Sequence, residues 1–113
     1  MVRDELLRLR AGVAAEAATL AADLEALFTA SRDSNADDEH DPEGATIGFE
    51  RAQLTALLAA ARDRMAEVDD ALRRVDEATY GACEGCGQPI GEERLAARPF
   101  ARLCMACASR PRR

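Results

Sequence analysis

The chain has 113 residues, enough for about one domain, and carries no Trp, one Tyr and three Phe. Much of its apolar content is Ala, which buries little area per residue; this excludes a broad globular core and favours a long helical pair with a metal staple. The formal net charge is −6 and every basic residue is Arg, which argues against a general binder of nucleic acid or anionic membrane, since those need a basic footprint.

The first predicted element is a helix over about 2–30. Leu6, Val13, Ala17, Leu20, Leu24 and Leu27 form an apolar seam whose steps from Val13 onward alternate four and three, with Arg10 interrupting it near the start. A second helix is predicted over about 42–79. Its seam runs Ile47, Leu54, Leu58, Ala61, Met65, Val68, Leu72 and Val75, with Arg51 filling the slot between the first two. Asp41-Pro42-Glu43 is a favourable start, with an acidic N-cap, Pro at the first helical position and a carboxylate in the first turn. Gly81 is the predicted stop.

Each helix is apolar along one stripe only, and the connection from Ser31 to Asp41 is short, so the two are predicted to pair antiparallel. The fold class is therefore mostly α: a long antiparallel coiled-coil hairpin over 1–80, followed by a small metal-pinned module over 81–113. The hairpin tip, at about 31–46, is rich in acids: Asp33, Asp37, Asp38, Glu39, Asp41 and Glu43, with His40 among them. Asp69, Asp70, Asp63 and Glu67 read as exposed helix-face residues pairing locally with Arg73, Arg74 and Arg62.

All four cysteines lie in the last third. Cys83 and Cys86 form one C-x2-C pair, Cys104 and Cys107 another, with seventeen residues between. This spacing is that of a four-thiolate zinc site. With four ligands filled, the expected ion is structural and one in number. The predicted local structure is a knuckle whose Gly85 and Gly87 turn amides toward sulfur, a short strand over 101–103, and a short helix beginning at Met105. No export signal or apolar stretch of membrane-spanning length is visible, so paired thiolates in the reducing cytoplasm are expected. No Ser/His/Asp set, phosphate-cradling Gly loop or paired buried carboxylates is recognisable, and the chain is not expected to be an enzyme.

The motifs Tyr80-Gly81-x-Cys83-x-x-Cys86-Gly87-x-x-Ile90, then Arg94-Leu95-x-Ala97-Arg98-Pro99, then Leu103-Cys104-x-x-Cys107 resemble the zinc finger of the DksA/TraR family. The preceding helical pair has that family's order and approximate length. The resemblance implies a transcription regulator that binds bacterial RNA polymerase and inserts its coiled coil into the secondary channel, modulating initiation without sequence-specific DNA binding of its own. It implies working residues at the tip, where Asp41, Glu43 and Ala45 best match the family's D-x-x-D-x-A motif, with one residue fewer between the acids and Glu for the second Asp. The basic residues tied to the family's guanosine tetraphosphate response have counterparts near Ala60, Glu67 and Ala108, so that nucleotide is not expected to bind in the usual manner. The competing expectation is a zinc-stapled coiled coil that joins protein partners without acting on polymerase. Direct DNA binding through Arg94, Arg98, Arg102 and the Arg-rich tail ranks third.

Overall fold

The computed structural model describes residues 2–33 and 42–111, with side chains for 2–30 and 46–111. Four helices follow in order: α1 (Val2–Asp33), α2 (Pro42–Asp76), α3 (Glu92–Ala97) and α4 (Met105–Ala108). α2 opens on Pro42, whose missing N–H is no loss at a first helical position. Asp41, the predicted cap, lies outside the described residues. Glu43 and Ala45 fall in the first turns of α2, and their side chains lie outside the described set.

The residues pack as two compact units. One runs from Ala11 to Met65. In it Ala17, Leu58 and Ala61 are buried, with Leu20, Ala21, Leu24 and Met65 packed against them. All but Ala21 are seam positions named above, and the small side chains at 17 and 61 take little space between the helices. Glu16 meets Arg64 at 2.7 Å and, further along α1, Phe28 meets Arg51. As one number climbs the other falls, which makes the pair antiparallel. Arg51, the polar slot in the seam, places its guanidinium 5.2 Å from the Phe28 ring centroid and so covers an exposed aromatic face.

The other unit joins the start of α1, through Arg10, to the chain from Ala66 onward. Leu6, Val68 and Ala71 form its buried centre, with Leu9, Leu72, Val75, Tyr80 and Phe100 packed around them. Arg3 pairs with Asp76 and Arg10 with Asp69, again antiparallel. Arg10 thus occupies the seam by reaching across to the facing helix, and Asp69 pairs between helices rather than locally.

Asp70 corrects the reading of an exposed helix face. Its side chain keeps only 20 % of its exposure and takes ion pairs from Arg73, Arg74 and Arg102. Arg74 is buried at 4 % exposure. Beyond Asp70 it donates to the carbonyls of Ala101 and Phe100, at 3.4 Å each, and lies 5.9 Å from the Tyr80 ring centroid. Tyr80 donates its hydroxyl to Pro99 O at 2.6 Å. Three side chains near the end of α2 thereby hold the segment between the cysteine pairs. Hydrogen bonding from Arg73, aided by the charges of Arg102 and Arg74, holds the Asp70 carboxyl below the usual carboxylate range despite its burial.

The second helix also ends earlier than predicted. Thr79 N donates to Arg74 O and Ala78 N to Val75 O, the paired bonds of a Schellman cap. The left-handed position that this cap requires is filled by Ala78, at φ 61°, not by Gly81. Gly81 also has a positive φ, but it serves the next turn, where Ile90 N donates to Gly81 O.

Two outcomes follow. Ala78→Gly removes the Cβ clash at the cap and is expected to stabilise the zinc-loaded protein by about 0.5–1 kcal/mol, read as a higher urea midpoint at unchanged slope. Asp70→Asn removes the opposite charge and leaves the buried Arg74 cation with neutral acceptors only, and is expected to destabilise its unit by about 1–3 kcal/mol. Combined with Arg74→Met, the loss is expected to fall short of the sum of the two single changes. A double-mutant cycle by urea denaturation measures that coupling.

Candidate metal centre

The finger is built from short-range turns rather than from regular structure. Cys83 N donates to Gln88 O and Gly87 N to Cys83 O, both at 2.8 Å, which closes the first knuckle. Gly87 sits at φ 77°, so its glycine is required by the turn. Its amide points to a carbonyl, not to sulfur as expected. Gly85 does meet the expectation, donating to Cys83 Sγ at 3.3 Å. A Cβ on Gly85 would stand 3.0 Å from Cys107 Sγ, so any other residue would press on that sulfur.

The expected strand over 101–103 is absent among the described residues. One backbone bond, from Glu84 N to Arg102 O at 2.9 Å, joins the knuckles instead, and one antiparallel bridge pairs Ala82 with Pro89. The short helix at Met105 is present as α4, with Cys104 as its N-cap residue. α3 was not foreseen. Its Arg94 donates to Leu103 O at 2.7 Å and to Met105 Sδ at 3.0 Å, bracing the second knuckle from behind. Ile90, Ala101 and Cys83 form the small buried centre of the module, with Leu95 and Leu103 against it.

These turns bring the four predicted ligands together. The sulfurs of Cys83, Cys86, Cys104 and Cys107 all lie within 4.8 Å of one another. Cys86 and Cys104 sulfurs are 3.9 Å apart, against about 3.8 Å for the edge of a tetrahedron with zinc–sulfur bonds of about 2.3 Å. Cys83 is buried and Cys86 exposed. The Cys104 amide, followed by those of Cys86 and Gly85, holds the Cys83 thiol down to about 6. Its thiolate and the sulfurs of Cys104 and Cys86 push Cys107 up to about 12. A bound divalent cation would draw the four sulfurs, Cys107 included, to the thiolate form. Thiolate ligands, tetrahedral spacing and amides turned onto sulfur fit zinc, and all four positions are taken, which leaves no open site for catalysis. His40 lies outside the described residues.

The molecule is thus two long antiparallel helices followed by a finger of four cysteines holding one structural zinc. The family described as prokaryotic dksA/traR C4-type zinc finger matches residues 78–113. The solved structure of transcription factor DksA2 from Pseudomonas aeruginosa superposes with a TM-score of 0.82 at 30 % identity, over 95 % of this chain and 77 % of that one. The RNA polymerase-binding transcription factor DksA of Caulobacter vibrioides is 44 % identical over 62 residues, 51 % of this chain and 44 % of that protein. General stress protein 16O of Bacillus subtilis is 37 % identical over 70 residues, 62 % of this chain and 43 % of that protein. The chain belongs to the DksA/TraR family. It spans less than half the length of these two curated relatives.

Chelation with a strong zinc ligand, or Cys83→Ser, is expected to unfold the finger while sparing most helicity. α1 and α2 hold 32 and 35 residues, against 6 and 4 in α3 and α4. Circular dichroism at 222 nm and amide hydrogen exchange, read side by side, check this: a small loss of signal with full exchange over 81–110 is the expected pair of results.

Proposed function

We propose that this chain is a cytoplasmic transcription regulator that binds bacterial RNA polymerase and inserts its helical hairpin into the secondary channel, modulating initiation. The observation that carries the reading is the likeness to the DksA2 structure over 95 % of the chain, joined to a relative from Caulobacter vibrioides that is named for polymerase binding. The acidic balance of the chain suits a protein that acts through polymerase rather than by gripping DNA. Asp41 and Glu43, with Ala45, are the residues assigned to the tip.

Guanosine tetraphosphate is not part of the proposed action. Glu67 and Ala108 line one cleft of about 600 Å³, beside Arg94, Arg98, Arg102 and Arg110. A carboxylate and a methyl group stand where the family's basic residues are expected, and Arg102 is already paired with Asp70 at 2.8 Å. Glu67 offsets part of the positive charge that the arginines bring to that cleft.

Reconstituted initiation on several promoters, with the host polymerase, tests the proposal. The full chain is expected to co-purify with polymerase and to change open-complex lifetime, with no further change on adding the nucleotide. Asp41→Asn with Glu43→Gln is expected to keep binding and lose most of the effect on lifetime. Failure to bind polymerase at saturating protein would turn the assignment toward the interaction module that joins other partners.

A further inference from the structure

A second cleft, also about 600 Å³, opens on the opposite chemistry. Leu6 and Leu9 of α1 and Leu95 and Pro99 of the finger line it, with Glu5 and Glu92 among the lining residues. Val2, another lining residue, keeps 41 % of its exposure. Tyr80 forms part of the wall, and its hydroxyl is committed to Pro99 O. Burial, with a smaller push from Glu5, raises the Tyr80 phenol above its usual range, so the wall stays neutral there. The lining thus combines aliphatic side chains with two acids and no base.

The two acids are the informative part. Among the described residues, neither the Glu5 nor the Glu92 carboxylate has a hydrogen bond or ion pair. In the same unit Asp69, Asp70, Asp76 and Glu77 each take an arginine, while Glu67, Glu84 and Glu93 are unpaired like Glu5 and Glu92; of the unpaired acids only these last two line the apolar cleft. Arginine is plentiful in this chain, yet none lines this cleft. An aliphatic slot with two unmatched carboxylates is complementary to a segment that carries both apolar and basic side chains.

We propose that this cleft docks a basic amphipathic helix of a protein partner, with aliphatic side chains seated between Val2, Leu9 and Leu95 and flanking Arg or Lys on Glu5 and Glu92. The volume suits a few side chains of one helix face rather than a domain. Charge supplies partner choice, and the slot supplies the burial. None of its lining residues falls within 31–46, the segment assigned to the tip, so the proposal holds whatever the outcome of the polymerase assays.

Titration of the zinc-loaded, isotopically labelled full chain with a 14-residue Leu/Arg amphipathic peptide tests the proposal. A control peptide carries Glu at every Arg position. The Leu/Arg peptide is expected to shift the resonances of Val2, Leu9, Leu95 and Ala96 in a saturable manner, and the Glu peptide to leave them in place. Glu5→Gln with Glu92→Gln is expected to weaken binding about threefold to tenfold while thermal stability is unchanged, as for loss of two rim ion pairs. Equal binding of both peptides, shifts confined to other surfaces, or no shift at millimolar peptide would overturn it. So would dilution-dependent shifts of the same residues without peptide, which would assign the cleft to a second copy of the chain.

Discussion

The guanidinium of Arg74 is almost fully withdrawn from water, and its charge is met from two directions. Asp70, one turn earlier on α2, supplies the opposite charge, while the carbonyls of Phe100 and Ala101 supply acceptors from the segment between the cysteine pairs. A buried cation with no partner is costly, so this contact requires the finger segment to be in place. The requirement is mutual: Arg102, from the finger side, returns to the same Asp70. Tyr80 and Phe100 then seal the apolar side against Leu6 and Val68. Zinc fixes the knuckles, but it is this arginine that fixes which face of α2 they rest on.

The two long helices were legible because burial follows the heptad steps: Leu6, Val13, Ala17, Leu58, Ala61 and Val68 are all seam positions and all buried. The four ligands were legible because the chemistry of a thiolate cage leaves little freedom in spacing. What escaped depended on contacts distant in sequence. Asp70 and Arg74 look like an ordinary i, i+4 pair, and only a segment some thirty residues later makes them interior. The helix end was misplaced because Gly81 has the better left-handed preference, whereas the geometry is imposed on Ala78 by the packing on either side. α3, at six residues, is too short to show a period. The second knuckle needed no strand, since Arg94 and one Glu84 amide satisfy its carbonyls.

Membership in the DksA/TraR family rests on the finger motifs together with the superposition over 95 % of the chain. The polar surface near the finger divides by sign. One cleft carries Arg94, Arg98, Arg102 and Arg110 against Glu67 alone, the other Glu5 and Glu92 with no base. A net charge of −6 conceals this division, which bears on partner choice more than the total does.

The alanines at 17, 61, 71 and 101 are among the most buried residues of the chain, while Phe49, Phe28 and Leu57 stay exposed. Unfolding such a protein brings comparatively little new hydrocarbon into contact with water. The heat-capacity change on unfolding is then small for its length, and stability varies gently with temperature on both sides of its maximum. An alanine-lined pair of helices is therefore thermally even-tempered: it has little hydrophobic driving force to lose on cooling, and correspondingly little curvature to bring it down on warming.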